Sequence, residues 1–346
     1  MNPELVENGR IWDVDKYVTD CITDRALDFL GDLSQQKEPY YLSVHYTAPH
    51  SPWERKDHQE DFLKLYDDCP FESVPDVPIH PNQNPDQDRI TPYGTGSRRK
   101  ELIRGYYAAI TAMDASIGRI LKKIDELGSR ENTLIVFVSD NGMNLGQHGI
   151  WGKGNGTFPL NMFDTSVKVP AIFSHRSVIP QNKVFHDLLS QYDVFPTLLE
   201  YAGVKQPKTP VLLPGTSFAQ LLKGANTLGR EDVVVHDEYG PVRMIRSQDF
   251  KYIHRYPFGP HELYDLKKDP NEDVNLVDDE KYKKKRFNGP KIDRLVCQIR
   301  NTPNGWSVLA GHWTWPGRTS ICRNEGLQCL PTVSISKVDQ FPGSTI

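Results

Sequence analysis

The chain has 346 residues, enough for two domains or for one large domain with an appendage. Hydrophobic residues make up 38% and charged residues 25%, and a net charge of -4 excludes a global field that recruits nucleic acid or an acidic membrane surface. No apolar stretch reaches the roughly 18 residues of a membrane span, the N-terminus lacks a basic-then-apolar export pattern, and five widely spaced cysteines without a CxxC argue against a disulfide framework or a zinc site.

Taken in chain order, Val18, Ile22, Phe29 and Leu30 form an apolar stripe that predicts a helix over 15–34. "YYLSVHYTAPH" (40–50) predicts a strand running into a loop at Pro49-His50, with His45 inside the strand as a core histidine. Residues 51–100, rich in Pro, Asp, Asn and Gln, read as a long irregular insertion. "GYYAAITAMDASIGRILKKIDELG" (105–128) is the clearest helix, its apolar residues recurring at three and four and Gly128 placed as a C-cap. "TLIVFVSD" (133–140) is apolar without alternation, which predicts a strand covered on both faces. A further strand over 167–175 and a helix over 187–203 complete an α/β alternation with a parallel or mixed sheet. From about 230 the texture changes to short strand-like pieces, a smaller α+β part with antiparallel strands. After Cys297 only Glu325 and Asp339 are acidic and no periodic element is visible. That stretch reads as an atypical tail of separate origin, and a shifted reading frame would explain it. Sequencing the transcript across codon 296 tests this. The expected parts are therefore 1–215, 216–295 and 296–346.

The chemistry concentrates in "VSDNGMNLGQHGIWGKG" (138–154). Ligands of α/β sheets gather at the carboxyl ends of strands. Asp140 and Asn141 stand at such an end, and a carboxylate beside an amide oxygen suits a hard cation such as calcium or magnesium. Gly142 would let the backbone turn away. Lys153, between Gly152 and Gly154, offers a compact positive charge to an oxyanion such as sulfate or phosphate. His148 would donate to the same anion or protonate a leaving oxygen. In "HYTAPHSPW" (45–53), Pro49 and Pro52 stiffen the backbone around His50, a histidine at another strand end. The plain readings stand beside these: a strand-to-turn junction, surface histidines and a solvated lysine.

These segments, with "VPAIF", "DVFPTLLEYAG" and "VRMIRSQDFKYIHRY…ELYDLKKDPNE", resemble in order and spacing the type I sulfatases of the alkaline phosphatase superfamily, over about residues 10–285. The resemblance implies a sulfuric ester hydrolase with an alkaline phosphatase-like α/β fold. Its central sheet would be mostly parallel, and a small C-terminal α+β subdomain would carry an antiparallel sheet. It implies a Ca2+ ion held in part by Asp140 and Asn141, sulfate oxygens bound by Lys153, and His50 facing the sulfate. His148 matches the histidine of a Gly-x-His-Gly loop, and His50 or His148 would protonate the leaving alcohol.

The family's formylglycine motif, C/S-x-P-x-R, does not occur. "CITDR" (21–25) has Thr23 where Pro or Ala belongs, and "CLPTV" (329–333) ends in Val333. The family's paired metal aspartates, and the lysine and histidine preceding the "APH" strand, are also missing. The resemblance thus implies a chain lacking its N-terminal third. It would have an incomplete Ca2+ site, an exposed apolar sheet edge and little or no activity alone. The expected substrate is a sulfated small molecule or carbohydrate, lined by the 51–100 loop and by 243–261. The alternatives are a phosphate or phosphonate ester hydrolase of the same superfamily, or a non-catalytic pseudoenzyme. Compartment and oligomeric state are open.

Overall fold

In the computed structural model the described residues are 4–84, 96–206, 214–237, 241–256, 258–282 and 333–336. By internal contacts the chain divides into two compact units. One is Met1–Val77 with Asn84–Thr133 and Cys322–Ile346; the other is Pro78–Gln83 with Leu134–Ile321. This division follows contacts, whereas the 1–215, 216–295 and 296–346 parts follow sequence texture.

The first unit opens with a hairpin that apolar periodicity does not reveal. Strands β1 (Glu4–Glu7) and β2 (Arg10–Asp13) pair antiparallel across Asn8 and Gly9, both at positive φ (51° and 80°). Asn-Gly is the dipeptide that two-residue hairpin turns favour, and it was the available signal. Helix α1 (Val18–Leu33) falls within the expected span and buries Cys21, Ile22, Ala26 and Leu30. Cys21 thus lies inside a helix, and burial pushes its thiol up, the opposite of what a nucleophile needs. Strand β3 (Tyr41–Val44) stops one residue before His45, which is exposed and hydrogen-bonded to Ser43 Oγ at 2.7 Å. His45 is therefore not a core histidine. The insertion holds a short helix, α2 (Glu60–Lys64), and then enters α3 (Gly96–Glu126), which begins earlier than the apolar stripe at 105 suggested. Gly128 caps α3 at φ 66°, with its N–H on Asp125 O. Arg119 of α3 ties back to Asp20 and Asp24 of α1. Val333–Ser336 pairs antiparallel with β3; the rest of the 296–346 tail lies outside the described residues.

The second unit runs through β4 (Ile135–Val138), β5 (Asn144–Leu145), β6 (Trp151–Gly152), helix α4 (Asp164–Val167), β7 (Ala171–Ser174), α5 (Val194–Tyr201) and α6 (Ala219–Leu222). It continues into β8 (Asp232–His236), β9 (Val242–Ser247), β10 (Phe250–Arg255) and β11 (Glu262–Asp265). These last four form an antiparallel sheet in the order β11-β10-β9-β8. Alternation along β9 and β10 sends Val242, Met244 and Ile253 to one face, where they pack with Ile150, Met162 and Phe163, and Ile245 and Tyr252 to the other.

Among the described residues every strand pair is antiparallel, so the mostly parallel sheet expected from the resemblance is not seen there. Strand β4 pairs with β7, because the chain returns through 139–170 and runs back alongside it. Nor is the apolar run covered on both faces: Val138 is 43% and Ile172 59% exposed. A two-stranded ribbon supplies too few neighbours to bury all of its side chains, however apolar they are.

Candidate functional site

Strand β4 delivers Asp140 and Asn141 onto an exposed turn. Asp140 Oδ1 accepts the Asn141 N–H at 2.8 Å, and Asn141 Nδ2 donates to the Gly142 carbonyl at 2.8 Å. The amide's donor side is thereby occupied and its oxygen is left as the acceptor a ligand would use. Gln191 Nε2 holds the turn by donating to the carbonyls of Ser139 (2.5 Å) and Asp140 (2.9 Å). Gln191 itself sits in the Ser190–Asp193 capping box leading into α5. The Gly142 N–H donates to Ser166 O at 2.9 Å, and a Cβ at 142 would lie 2.1 Å from the Thr165 carbonyl oxygen. Glycine is thus needed for close approach to α4, not for the backbone reversal expected of it.

Lys153 follows the small β5–β6 hairpin, in which Asn144 faces Gly152 and Leu145 faces Trp151. A buried polar network underlies this loop. Asn144 Nδ2 donates to Gly152 O (3.0 Å) and Ser166 Oγ (2.7 Å), and Thr165 Oγ1 donates to Asn144 Oδ1. Ser166 Oγ donates to Asn161 Oδ1 (2.6 Å), and Asn161 Nδ2 donates to the carbonyls of Lys153 (3.2 Å) and Gly154 (3.1 Å). Every polar group here has a partner, which is what makes its burial tolerable. Lys153 is half-buried, and among the described residues neither it nor Asp140 forms an ion pair.

His148 is placed differently. Its backbone is left-handed (φ 55°) and its ring stacks on Phe163, with centroids 3.7 Å apart and planes at 12°. Burial pushes its imidazole below the usual histidine range; Asp273 and Asp269 oppose this, while His80 and Lys251 add to it. The next residue, Gly149 at φ 71°, approaches the chain so closely that a Cβ would lie 2.0 Å from Pro78 O. His148 therefore contributes packing against the core below the sheet. Beside it, wholly buried Lys251 lies 2.5 Å from Asp164 Oδ1 and 2.5 Å from Glu272 Oε1, and donates to Met162 O at 3.0 Å. Burial alone would raise Asp164, but Lys251 and Arg246 outweigh it and hold that carboxyl low; burial pushes Glu272 up. Asp164 opens α4, so the sheet braces the helix that holds both loops.

His50 belongs to the first unit. It is exposed, with its N–H on Thr47 O (2.8 Å) and Nδ1 2.9 Å from Ser51 O. Its loop is anchored by buried Trp53, whose indole donates to Pro49 O at 2.7 Å.

Within the second unit the structure thus brings Asp140, Asn141 and Lys153 onto one support and turns His148 to packing. The amides Gln83, Asn144, Asn161 and Gln191, with Ser166, escaped the sequence reading. Amides in polar or glycine-rich stretches look solvated until burial is known.

The sulfatase family model matches residues 3–204, and the model of the N-sulphoglucosamine sulphohydrolase C-terminal region matches 146–288. An arylsulfatase of Clostridium perfringens is 28% identical over 302 residues, covering 84% of this chain and 59% of its own. An N-acetylglucosamine-6-O-sulfatase of Bacteroides thetaiotaomicron is 27% identical over 357 residues, covering 82% and 62%. The chain thus spans little more than half the length of these curated relatives. A structure solved with its substrate D-glucosamine-2-N,6-O-disulfate superposes at TM-score 0.69 and 22% identity, over 87% of this chain and 73% of that one. The phosphonate monoester hydrolase of Agrobacterium radiobacter does so at 0.64 and 23%, over 81% and 61%. These likenesses are of fold, a mixed α/β architecture of the alkaline phosphatase type.

Proposed function

Since the chain belongs to the sulfatase family, we propose that it carries part of a sulfate ester hydrolase, with Asp140 and Asn141 toward Ca2+ and Lys153 toward the sulfate. One observation carries this reading. The Asp140–Asn141 turn and the Lys153 loop are both bonded to α4 through Ser166, and both keep an unneutralised charge among the described residues. The donor set fits a hard cation as far as it goes, one carboxylate and one amide oxygen out of the roughly six or more oxygens calcium takes. When bound, such an ion would polarise a sulfate oxygen. Lys153 would hold the negative charge of the sulfate oxygens. Proton donation does not suit His148, whose buried, stacked ring disfavours the protonated form.

The relatives point to a sulfated carbohydrate as substrate, and the 216–295 segment, with its antiparallel sheet, would be the α+β part lining it. A phosphonate ester is the second reading, favoured by the phosphonate hydrolase likeness. No C/S-x-P-x-R stretch occurs in the 346 residues, so this chain offers no residue for a formylglycine step. Alone it should bind Ca2+ weakly, lose that binding on Asp140→Ala, and leave 4-nitrocatechol sulfate unhydrolysed. Calcium binding unaffected by Asp140→Ala would overturn the metal assignment, and turnover of that ester at a rate typical of sulfatases would overturn the reading that the chain is inactive alone.

A further inference from the structure

The stretch 149–158, which contains Lys153, is held by two side-chain amides from separate segments. Gln83 donates from Nε2 to Trp151 O (2.9 Å) and accepts the Trp151 N–H at Oε1 (2.9 Å), imitating a strand neighbour with one side chain. Around it, the His80 N–H donates to Gly149 O (2.9 Å), the Phe158 N–H donates to Asn82 O (2.9 Å), and Gln83 bridges to Thr157. Asn161 takes the other part of the loop, with Nδ2 on the carbonyls of Lys153 and Gly154 and its own N–H on Gly154 O (2.9 Å). Trp151 and Gly152 are buried, so unpaired backbone groups there would be costly. Both amides act on the backbone of 151–154. The lysine ammonium rides on a flexible four-carbon stem, so the volume it can reach is set by where its Cα is held.

We propose that Gln83 and Asn161 are positioning residues for Lys153, fixing the loop so that its ammonium meets a sulfate oxygen. This rests on the reading of Lys153 as the sulfate-binding lysine. An apolar residue of similar size at 83 would fill space but leave the Trp151 N–H and carbonyl without partners, so packing alone does not account for the paired amide.

The test is calorimetric titration of the full 346-residue chain with inorganic sulfate, at constant ionic strength in chloride, with melting temperatures recorded in parallel. Lys153→Ala should abolish saturable binding. Gln83→Ala and Asn161→Ala should each weaken it about tenfold, the loss typical when a supporting outer contact is removed. Adding either to Lys153→Ala should remove nothing more. Gln83→Met, which fills similar space without hydrogen-bonding or adding charge, serves if the alanine variant does not fold, and should show the same direction. Lower melting temperatures with unchanged sulfate affinity would make both amides structural staples and overturn the proposal, leaving the Lys153 reading intact. Binding that survives Lys153→Ala, or no binding by the unaltered chain, would overturn that reading and this inference with it.

Discussion

The antiparallel sheet β8–β11 and the ribbon β4–β7 invert what their sequences suggest. "TLIVFV" is apolar throughout, yet Val138 and Ile172 of its ribbon stand 43% and 59% exposed. "VRMIRSQDFKYIHR" carries five formal cations or histidines, yet most of its strand positions are buried or half-buried, with Lys251 wholly covered. The difference lies in partners. Charges on the sheet are matched internally: Lys251 by Asp164 and Glu272, Arg246 by Asp164 (3.2 Å), Arg255 by Glu262 (2.7 Å). The ribbon has one strand beside another, and although Phe173 packs on Phe218 beside α6, Val138 and Ile172 stay uncovered. Burial follows the number of neighbours and the satisfaction of charge, and hydrophobicity alone predicts neither.

The largest effect should come from the sheet. Lys251→Ala strips buried Glu272 of its cation and leaves half-buried Asp164 with Arg246, and should cost about 3–5 kcal/mol in urea unfolding. A loss under about 1 kcal/mol would mean that the cluster is not what permits the sheet its burial. A middle effect should appear in the pH dependence. Burial holds His148 and His80 below the usual histidine pKa, so the unfolded chain binds more protons than the folded one at mildly acidic pH. Their contribution is present above about pH 6.5, the unfolded value, and is lost as pH falls through the lower folded values. His148→Asn, which tolerates the left-handed backbone, should reduce the fall in stability between pH 7 and 5. An unchanged slope would show that the imidazole is not kept neutral. The smallest effect belongs to the ribbon: Ile172→Thr should change stability by no more than about 0.5 kcal/mol. A cost matching that of Lys251→Ala would erase the contrast between the two regions.

The sequence by itself determined most element types and the candidate charges. Stripes at three and four placed α1 and the body of α3, and the textural change near 230 announced antiparallel strands. The glycine-studded run marked Asp140, Asn141 and Lys153, because local chemistry of that kind is written in adjacent residues. Strand partners and the use made of each polar side chain depended on residues far apart in the chain. The antiparallel pairing of β4 with β7, the packing of His148 on Phe163, the need for glycine at 142, and the clamps from Gln83 and Asn161 all join positions that no local pattern connects. Only the tertiary structure decided those, because the worth of a hydrogen bond or a charge depends on what surrounds it once water is gone.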